Sequence, residues 1–423
     1  MKATLIHCYS DHNRGDTGII YSIHDLAKSC DTDLDIRAMS VFSSLDSRLE
    51  TDHRHTRKLI AEVYPSFFPE PGFQATSGKA PSNTVKALTF TKYLIINTAI
   101  YITKSKRIAK KLLSSSEYQS FENFITSDKV ISKGGSFLYS FKGINGALFF
   151  ARMIYPFYLA KRFNIDCYIY SQSIGPFENK SAKYLFKKIQ PHIRKIFLRE
   201  SKCLQYLDKH SNNIQIISDS AFALETSKPI TTKEKRTNKR VAITARPHKF
   251  KNKDQEKIYI AALSKLINHI TQKNYEVYLV PQVTGPSKGE DDREVLDILY
   301  QNADHKERIR YPSDDLDPRE IKSLYGQMDY LVGTRLHSVI FALGMGVPCI
   351  NIAYHGTKAE GIMGALGLES YVLNIETLTS EELISKFEDL QENTEELSES
   401  ISNGIKQIKT TLSESMKKLL SSK

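Results

Sequence analysis

At 423 residues the chain is too long for one core at about 100–200 residues per domain, so two domains with additions are expected. Its 40% hydrophobic and 25% charged residues are an ordinary globular composition, which excludes a disordered or fibrous chain. The formal net charge of +11 is spread along the sequence, and fits an acidic substrate, an anionic membrane surface or nucleic acid without choosing among them.

In chain order, "KATLIHCYS" reads as a first strand, "TGIIYSIHDLAKSC" has helical apolar spacing, and "DLDIRAMSVF" reads as a second strand. This βαβ rhythm is that of a doubly wound sheet. Residues 44–85 carry Pro65, Pro69, Pro71 and Pro81 and are read as irregular, and 86–113 as helical and basic; together, 44–113 form an insertion. Strands resume at 128–135, 167–177, 195–200 and 214–222. The polar, charged run 226–240 is taken as a linker between an N-terminal domain, 1–225, and a C-terminal one, 241–378.

The second domain restarts the rhythm with a strand at 240–248, a helix over 254–272, a strand at 275–285 and a helix from Asp291. The apolar "DYLVGT" then runs into a helix from Arg335, followed by "CINIAYH" and "YVLNI". Residues 379–423 read as a helical tail, long enough to pack back on the N-terminal domain. The fold class expected is therefore α/β, with two Rossmann-like domains facing a cleft.

Cys8, Cys30, Cys167, Cys203 and Cys349 form no C-x-x-C pair and are read as reduced thiols of a cytoplasmic protein. The apolar run that opens the chain is too short for a signal peptide, and "YLIINTAIYI" (93–102) is half a membrane span. The basic, aromatic and aliphatic segment 85–113 has the pattern of an interfacial helix, so contact with the inner face of an anionic membrane is expected at most.

Nearly every notable motif follows a strand. "NRGD" (13–16), "GGS" (134–136) and "QSIGP" (172–176) offer Asn13, Asp16, Gly134, Gly135, Ser136, Gln172 and Ser173 as substrate contacts. Glycines and small polar residues are also what strand-to-helix turns need, and Asp16 reads equally well as an N-cap. Asp219 carries a similar ambiguity. Arg199, Arg246, Arg335, His337 and Lys358 also sit at or past strand ends. One arginine alone is best read as a salt bridge; five cations around one cleft point to a small substrate with two anionic groups, which the planar arginine fork suits. Arg335 and His337 stand at the start of a helix, where its dipole disfavours cations unless an anion sits between them and the amides. "DHRH" (52–55) is read as a solvated loop and not a metal site, and His7 and His12 as buried, hydrogen-bonded histidines. No Walker A loop, dinucleotide fingerprint or G-x-S-x-G elbow is present.

Taken together, "NRGDTGI", "KGGSFL", "SQSIGPF", "FLRES", "SDSAF" and "GTRLHSVIFALGMGVPCINIAYHGTK" resemble the polysaccharide pyruvyl transferase family. The resemblance implies a fold like the GT-B glycosyltransferases. It also implies transfer of pyruvate from phosphoenolpyruvate to two hydroxyls of a sugar, free or lipid-linked, as a ketal in cell-surface glycan synthesis. Arg335 and His337 match the family's R-x-H pair and carry the catalytic assignment. Lys358 matches its downstream lysine, and Arg199 the arginine of its "R-(D/E)" turn. This chain has "RES" where "RD" is common, and lacks a glycine often found within "QSIGP". The implied chemistry needs no metal, no cofactor beyond phosphoenolpyruvate as donor, and no nucleic acid partner. The same architecture would serve a glycosyltransferase using a nucleotide sugar, and the basic surface a non-catalytic membrane-docking scaffold.

Overall fold

A computed structural model describes the chain apart from residues 71–80, 209–212, 228–237, 287–288, 313–314, 355 and 423, and apart from the side chains of 356–358. Two compact units result. Unit 1 comprises Met1–Asp11, Ile19–Ser220 and Leu412–Lys423; unit 2 comprises His12–Gly18 and Ala221–Thr411.

Unit 1 is built on an eight-stranded sheet of β1 (Lys2–Cys8), β2 (Asp35–Ser40), β3 (Val63–Tyr64), β4 (Lys129–Ser132), β5 (Gly135–Ser140), β6 (Asp166–Phe177), β7 (Ile193–Leu198) and β8 (Ile214–Ile216). The order is β3-β2-β1-β4-β6-β7-β8, with β5 beside β6, and every pair is parallel. Unit 2 carries β9 (Arg240–Thr244), β10 (Glu276–Leu279), β11 (Ile309–Arg310), β12 (Tyr330–Gly333), β13 (Cys349–Ala353) and β14 (Val372–Asn374). These form a parallel sheet in the order β11-β10-β9-β12-β13-β14. That is the Rossmann order, third-second-first-fourth-fifth-sixth within the unit. Parallel strands are covered on both faces, which is why β12 reads as an unbroken apolar run and β13 as one interrupted only by Asn351, and why both are buried throughout. Strand order reverses between β1 and β4 in unit 1 and between β9 and β12 in unit 2. Ligands of doubly wound sheets sit outside the carboxyl ends of the strands at such a reversal.

Three features depart from the sequence reading. The stretch read as irregular contains helices Arg48–Thr51 and Arg54–Leu59 and the edge strand β3, all too short to show a period. Helix Gly143–Phe163 has no place in that reading, since it holds Pro156 and is apolar around most of its girth, so its sequence shows no stripe. The tail is two helices, Ser380–Glu392 and Thr394–Ser421. Its end belongs to unit 1, as expected: Tyr170 Oη donates to the Leu412 carbonyl at 2.8 Å, and Lys129 Nζ to the Ser422 carbonyl at 2.7 Å.

The linker read at 226–240 falls largely outside the described residues. The turn after β1 does not stay with the N-terminal unit. In His12–Gly18, Asn13 bridges Val283, Arg14 N donates to Gln282 O at 3.3 Å, and Thr284 N donates to His12 O at 2.9 Å. Asn13 and Asp16, read as part of the N-terminal domain, therefore pack with unit 2.

Candidate active site

The predicted residues fall into two groups. In unit 2, Arg246 follows β9 and Arg335 follows β12, on either side of the strand-order reversal. Arg335 is the N-cap of helix Leu336–Leu343, in extended conformation, so only His337 of the pair lies within the first turn. The Arg335 carbonyl accepts from the Ser338 amide at 3.0 Å and from its hydroxyl at 2.6 Å, which closes that turn. Its guanidinium lies on Asp292: Nε and Nη2 reach Oδ1 at 2.8 and 2.7 Å, and Nη2 also reaches Glu290 O at 2.8 Å.

Asp292 is fully buried and accepts from the Gln282 and Val283 amides at 3.0 and 2.9 Å. Burial pushes its carboxyl up to about 6, although Arg335 and the amides oppose that shift. Burial alone would lower the guanidinium, but the Asp292 charge outweighs it and holds Arg335 above its ordinary value. The two side chains form a buried ion pair with 2.7 Å between Nη2 and Oδ1.

Arg246 donates from Nε to the Pro247 carbonyl at 3.0 Å, and its guanidinium carbon lies 4.0 Å from the Tyr354 ring centroid. Buried Tyr259 ties the two strand ends together, its hydroxyl accepting from Arg246 N at 3.3 Å and bonding Thr334 Oγ1 at 2.9 Å. Gly15 lies against His337: a Cβ built on Gly15 would stand 2.3 Å from His337 Nδ1. Only glycine permits that approach. Asp16 is not the cap of helix Arg14–Cys30; Asn13 is. Asn13 Oδ1 accepts from Asp16 N at 3.2 Å, a side-chain N-cap, while Asn13 Nδ2 donates to Asp16 Oδ2 at 2.7 Å and so engages both side chains. Lys358 lies in helix Gly356–Gly364, with its side chain outside the described residues.

In unit 1, Arg199 follows β7 and is almost fully bonded: Nε to Ser173 Oγ at 2.7 Å, Nη1 to Asp219 Oδ2 at 2.7 Å and Nη2 to Ser136 Oγ at 3.1 Å. Asp219 is fully buried, and Ser173 donates to Glu200 Oε1. Gly135, at φ 107°, opens β5 in register with Gln172, and a Cβ on Gly134 would stand 2.7 Å from Ser171 O. Both glycines thus answer to backbone geometry. Gln172 is buried, its Oε1 accepting from Ser132 Oγ at 2.7 Å.

Asp292, Tyr259 and Tyr354 escaped the sequence reading. Asp292 belongs to an acidic pair at the start of helix Arg293–Gln301, a place where carboxylates are routine. His7 behaves as expected: its Nε2 lies 2.8 Å from Met153 O, its Nδ1 2.9 Å from Ser132 Oγ, and burial drives it down to about 3. "DHRH" is not solvated. Asp52, His53 and His55 are all buried, because the two short helices fold over the carboxyl end of β2, where His53 Nε2 lies 2.7 Å from Ser40 Oγ. Among the described residues no cluster has the makings of a metal site, and no helix is long and apolar enough to cross a membrane.

A family model described as polysaccharide pyruvyl transferase matches residues 47–356. The chain is 26% identical over 432 residues to the amylovoran biosynthesis protein AmsJ of Erwinia amylovora, covering 96% of each. Among solved structures, it resembles a UDP-GlcNAc 2-epimerase from Neisseria meningitidis, with a TM-score of 0.53, 13% identity, and coverage of 97% of this chain and 99% of that one. A glycosyltransferase from Rickettsia africae gives 0.52 at 12% identity, covering 100% of this chain and 99% of that one. Likeness at such identity concerns the fold alone, the two-domain α/β architecture of GT-B-type proteins.

Proposed function

Because the chain belongs to the polysaccharide pyruvyl transferase family, we propose that it transfers pyruvate from phosphoenolpyruvate to two hydroxyls of a sugar, closing a cyclic ketal and releasing phosphate. The supporting observation is the placement of Arg246, Arg335 and His337 at the strand-order reversal of unit 2. Phosphoenolpyruvate carries a carboxylate and a phosphate, which Arg246 and Arg335 hold, with Lys358 as a third cation. Asp292 orients Arg335 from behind.

His337 protonates C3 as a general acid. A sugar hydroxyl adds at the C2 that becomes electrophilic, the C2–O bond to phosphate breaks, and the second hydroxyl closes the ring. One hydroxyl proton replaces the one given to C3 and the other leaves with phosphate, so the balance needs no redox cofactor. In unit 1, Ser136 and Ser173, held in place by Arg199, and Gln172, held by Ser132, serve the acceptor.

Lipid-linked acceptors would bring the protein to a membrane surface, and helix Asn83–Thr103 is suited to one. Val85, Leu88, Ile95 and Ile102 are 48%, 66%, 65% and 65% exposed on it. Lys106, Arg107, Lys110 and Lys111 follow in helix Lys106–Leu112, and no acidic residue lies in either helix. The function is tested by incubating the protein with phosphoenolpyruvate and lipid-linked glycans. Phosphate release matched by a ketal-linked pyruvate on the glycan is expected. Binding of a nucleoside diphosphate sugar, with no phosphate released from phosphoenolpyruvate, would identify a glycosyltransferase instead.

A further inference from the structure

Unit 1 has its own strand-order reversal, between β1 and β4. Lys133, the residue after β4, is 0% exposed. Its Nζ lies 4.6 Å from the Phe137 ring centroid, and its charge depresses both His7 and His53. Arg152 reaches the same end of the sheet from helix Gly143–Phe163 and is 3% exposed. Its Nη2 donates to the Val41 carbonyl just beyond β2 at 2.8 Å. Among the described residues, neither its Nε nor its Nη1 has a hydrogen-bond partner.

The nearby carboxylates do not fill that gap. Arg48 Nη2 takes Asp46 and Glu70 at 2.6 and 2.7 Å. Burial, only partly offset by those carboxylates, lowers the Arg152 guanidinium to about 10. A buried guanidinium with two idle donors is costly in a finished core and useful in a site that awaits an acceptor. Past the end of the same strand, β2, two further groups can donate. The Ser40 hydroxyl accepts from Phe42 N at 2.9 Å and can give its own proton to His53 Nε2, which leaves buried Nδ1 of the neutral ring as an N–H without a partner among the described residues. The buried Ser43 hydroxyl, two residues past Val41, is also unengaged among them.

We propose that Arg152 and Lys133, with His53 and Ser43, form a buried oxyanion site at the β1/β4 reversal of unit 1, which binds a carboxylate or phosphate group. Assigning that group to the acceptor, as the carboxylate of an acidic sugar or a phosphate of its carrier, rests on the pyruvyl-transfer reading; the site itself does not.

The test is hydrogen exchange on the full chain with inorganic phosphate or glucuronate, read separately. Either anion should slow the amides of residues 41–43 and 149–155 by about tenfold or more once in excess over its dissociation constant. The anion that does so tells phosphate from sugar carboxylate. Arg152→Met should raise the melting temperature of the free protein, since it removes an uncompensated buried charge, and should abolish that protection. A purely structural Arg152 would behave in the opposite way, Arg152→Met melting earlier. Unchanged exchange at these segments with both anions overturns the proposal, and needs only the wild-type protein. Protection that persists in Arg152→Met overturns it as well. Because binding is read without turnover, an inactive protein that still shows the protection refutes the pyruvyl-transfer reading and leaves this site standing.

Discussion

Replacing Gly15 by alanine is the smallest change that reaches His337 without altering it. The added Cβ would stand 2.3 Å from His337 Nδ1, 2.4 Å from Cγ and 2.7 Å from Cβ, whereas ordinary contact begins near 3.4 Å. The imidazole must therefore retreat by about 1 Å, the scale on which misplaced catalytic groups lose about 10²-fold in rate. Stability should respond less. Overpacking costs about 1–3 kcal/mol, and alanine in place of glycine within a helix returns about 1 kcal/mol. Gly15→Ala should thus unfold with a net loss of at most about 2 kcal/mol while turnover, followed as phosphate released from phosphoenolpyruvate, drops about 100-fold. In a His337→Ala background the ring contacts are gone and only the Cβ contact at 2.7 Å remains, so the same substitution should cost less stability and no further rate. Wild-type turnover in Gly15→Ala, or an equal effect in both backgrounds, would refute the reasoning.

Other consequences can be measured alongside. Asp292→Asn leaves Arg335 buried without its counter-charge and should cost about 3–5 kcal/mol in urea unfolding, with weaker phosphoenolpyruvate binding. His7 and His53 are held near 3 by burial, against about 6.5 unfolded, so the unfolded chain binds the extra protons. Stability should therefore fall as pH drops below about 6.5 and go on falling towards 3, by up to about 4–5 kcal/mol per histidine. His7→Gln should remove one proton from the slope of stability against pH in that window; an unchanged slope contradicts the assignment. Vesicles rich in anionic lipid should retain the protein, and replacing Leu88, Ile95 and Ile102 by Ser should release it. Equal retention on neutral vesicles would count against the charged helix pair. Activity should survive a chelator, since guanidinium groups neutralise the donor; loss with recovery on adding one metal would overturn that.

Much of the fold was legible because parallel strands buried on both faces are written as apolar runs, and because the turns after them concentrate the polar motifs. "DYLVGTRLHS" shows both: β12, then Arg335 and His337. What stayed hidden depends on contacts between distant residues. The pairing of Arg335 with Asp292 spans 43 positions. His12–Gly18 looks like an ordinary βα turn, yet it packs with unit 2 and brings Gly15 to His337. Arg152 lies in a helix whose apolar girth and internal proline conceal its period, so nothing local marks it as more than one cation among many. The motif glycines Gly134 and Gly135 were legible as turns, and the backbone accounts for both.

The central claim, that His337 supplies acid–base chemistry to phosphoenolpyruvate, is tested most directly by His337→Ala. Phosphate release per folded molecule would be measured with lipid-linked glycan acceptors present, beside direct binding of phosphoenolpyruvate. The account predicts a folded protein that still binds phosphoenolpyruvate and turns it over about 10²–10⁴-fold more slowly. A folded His337→Ala protein with near-normal turnover would contradict it.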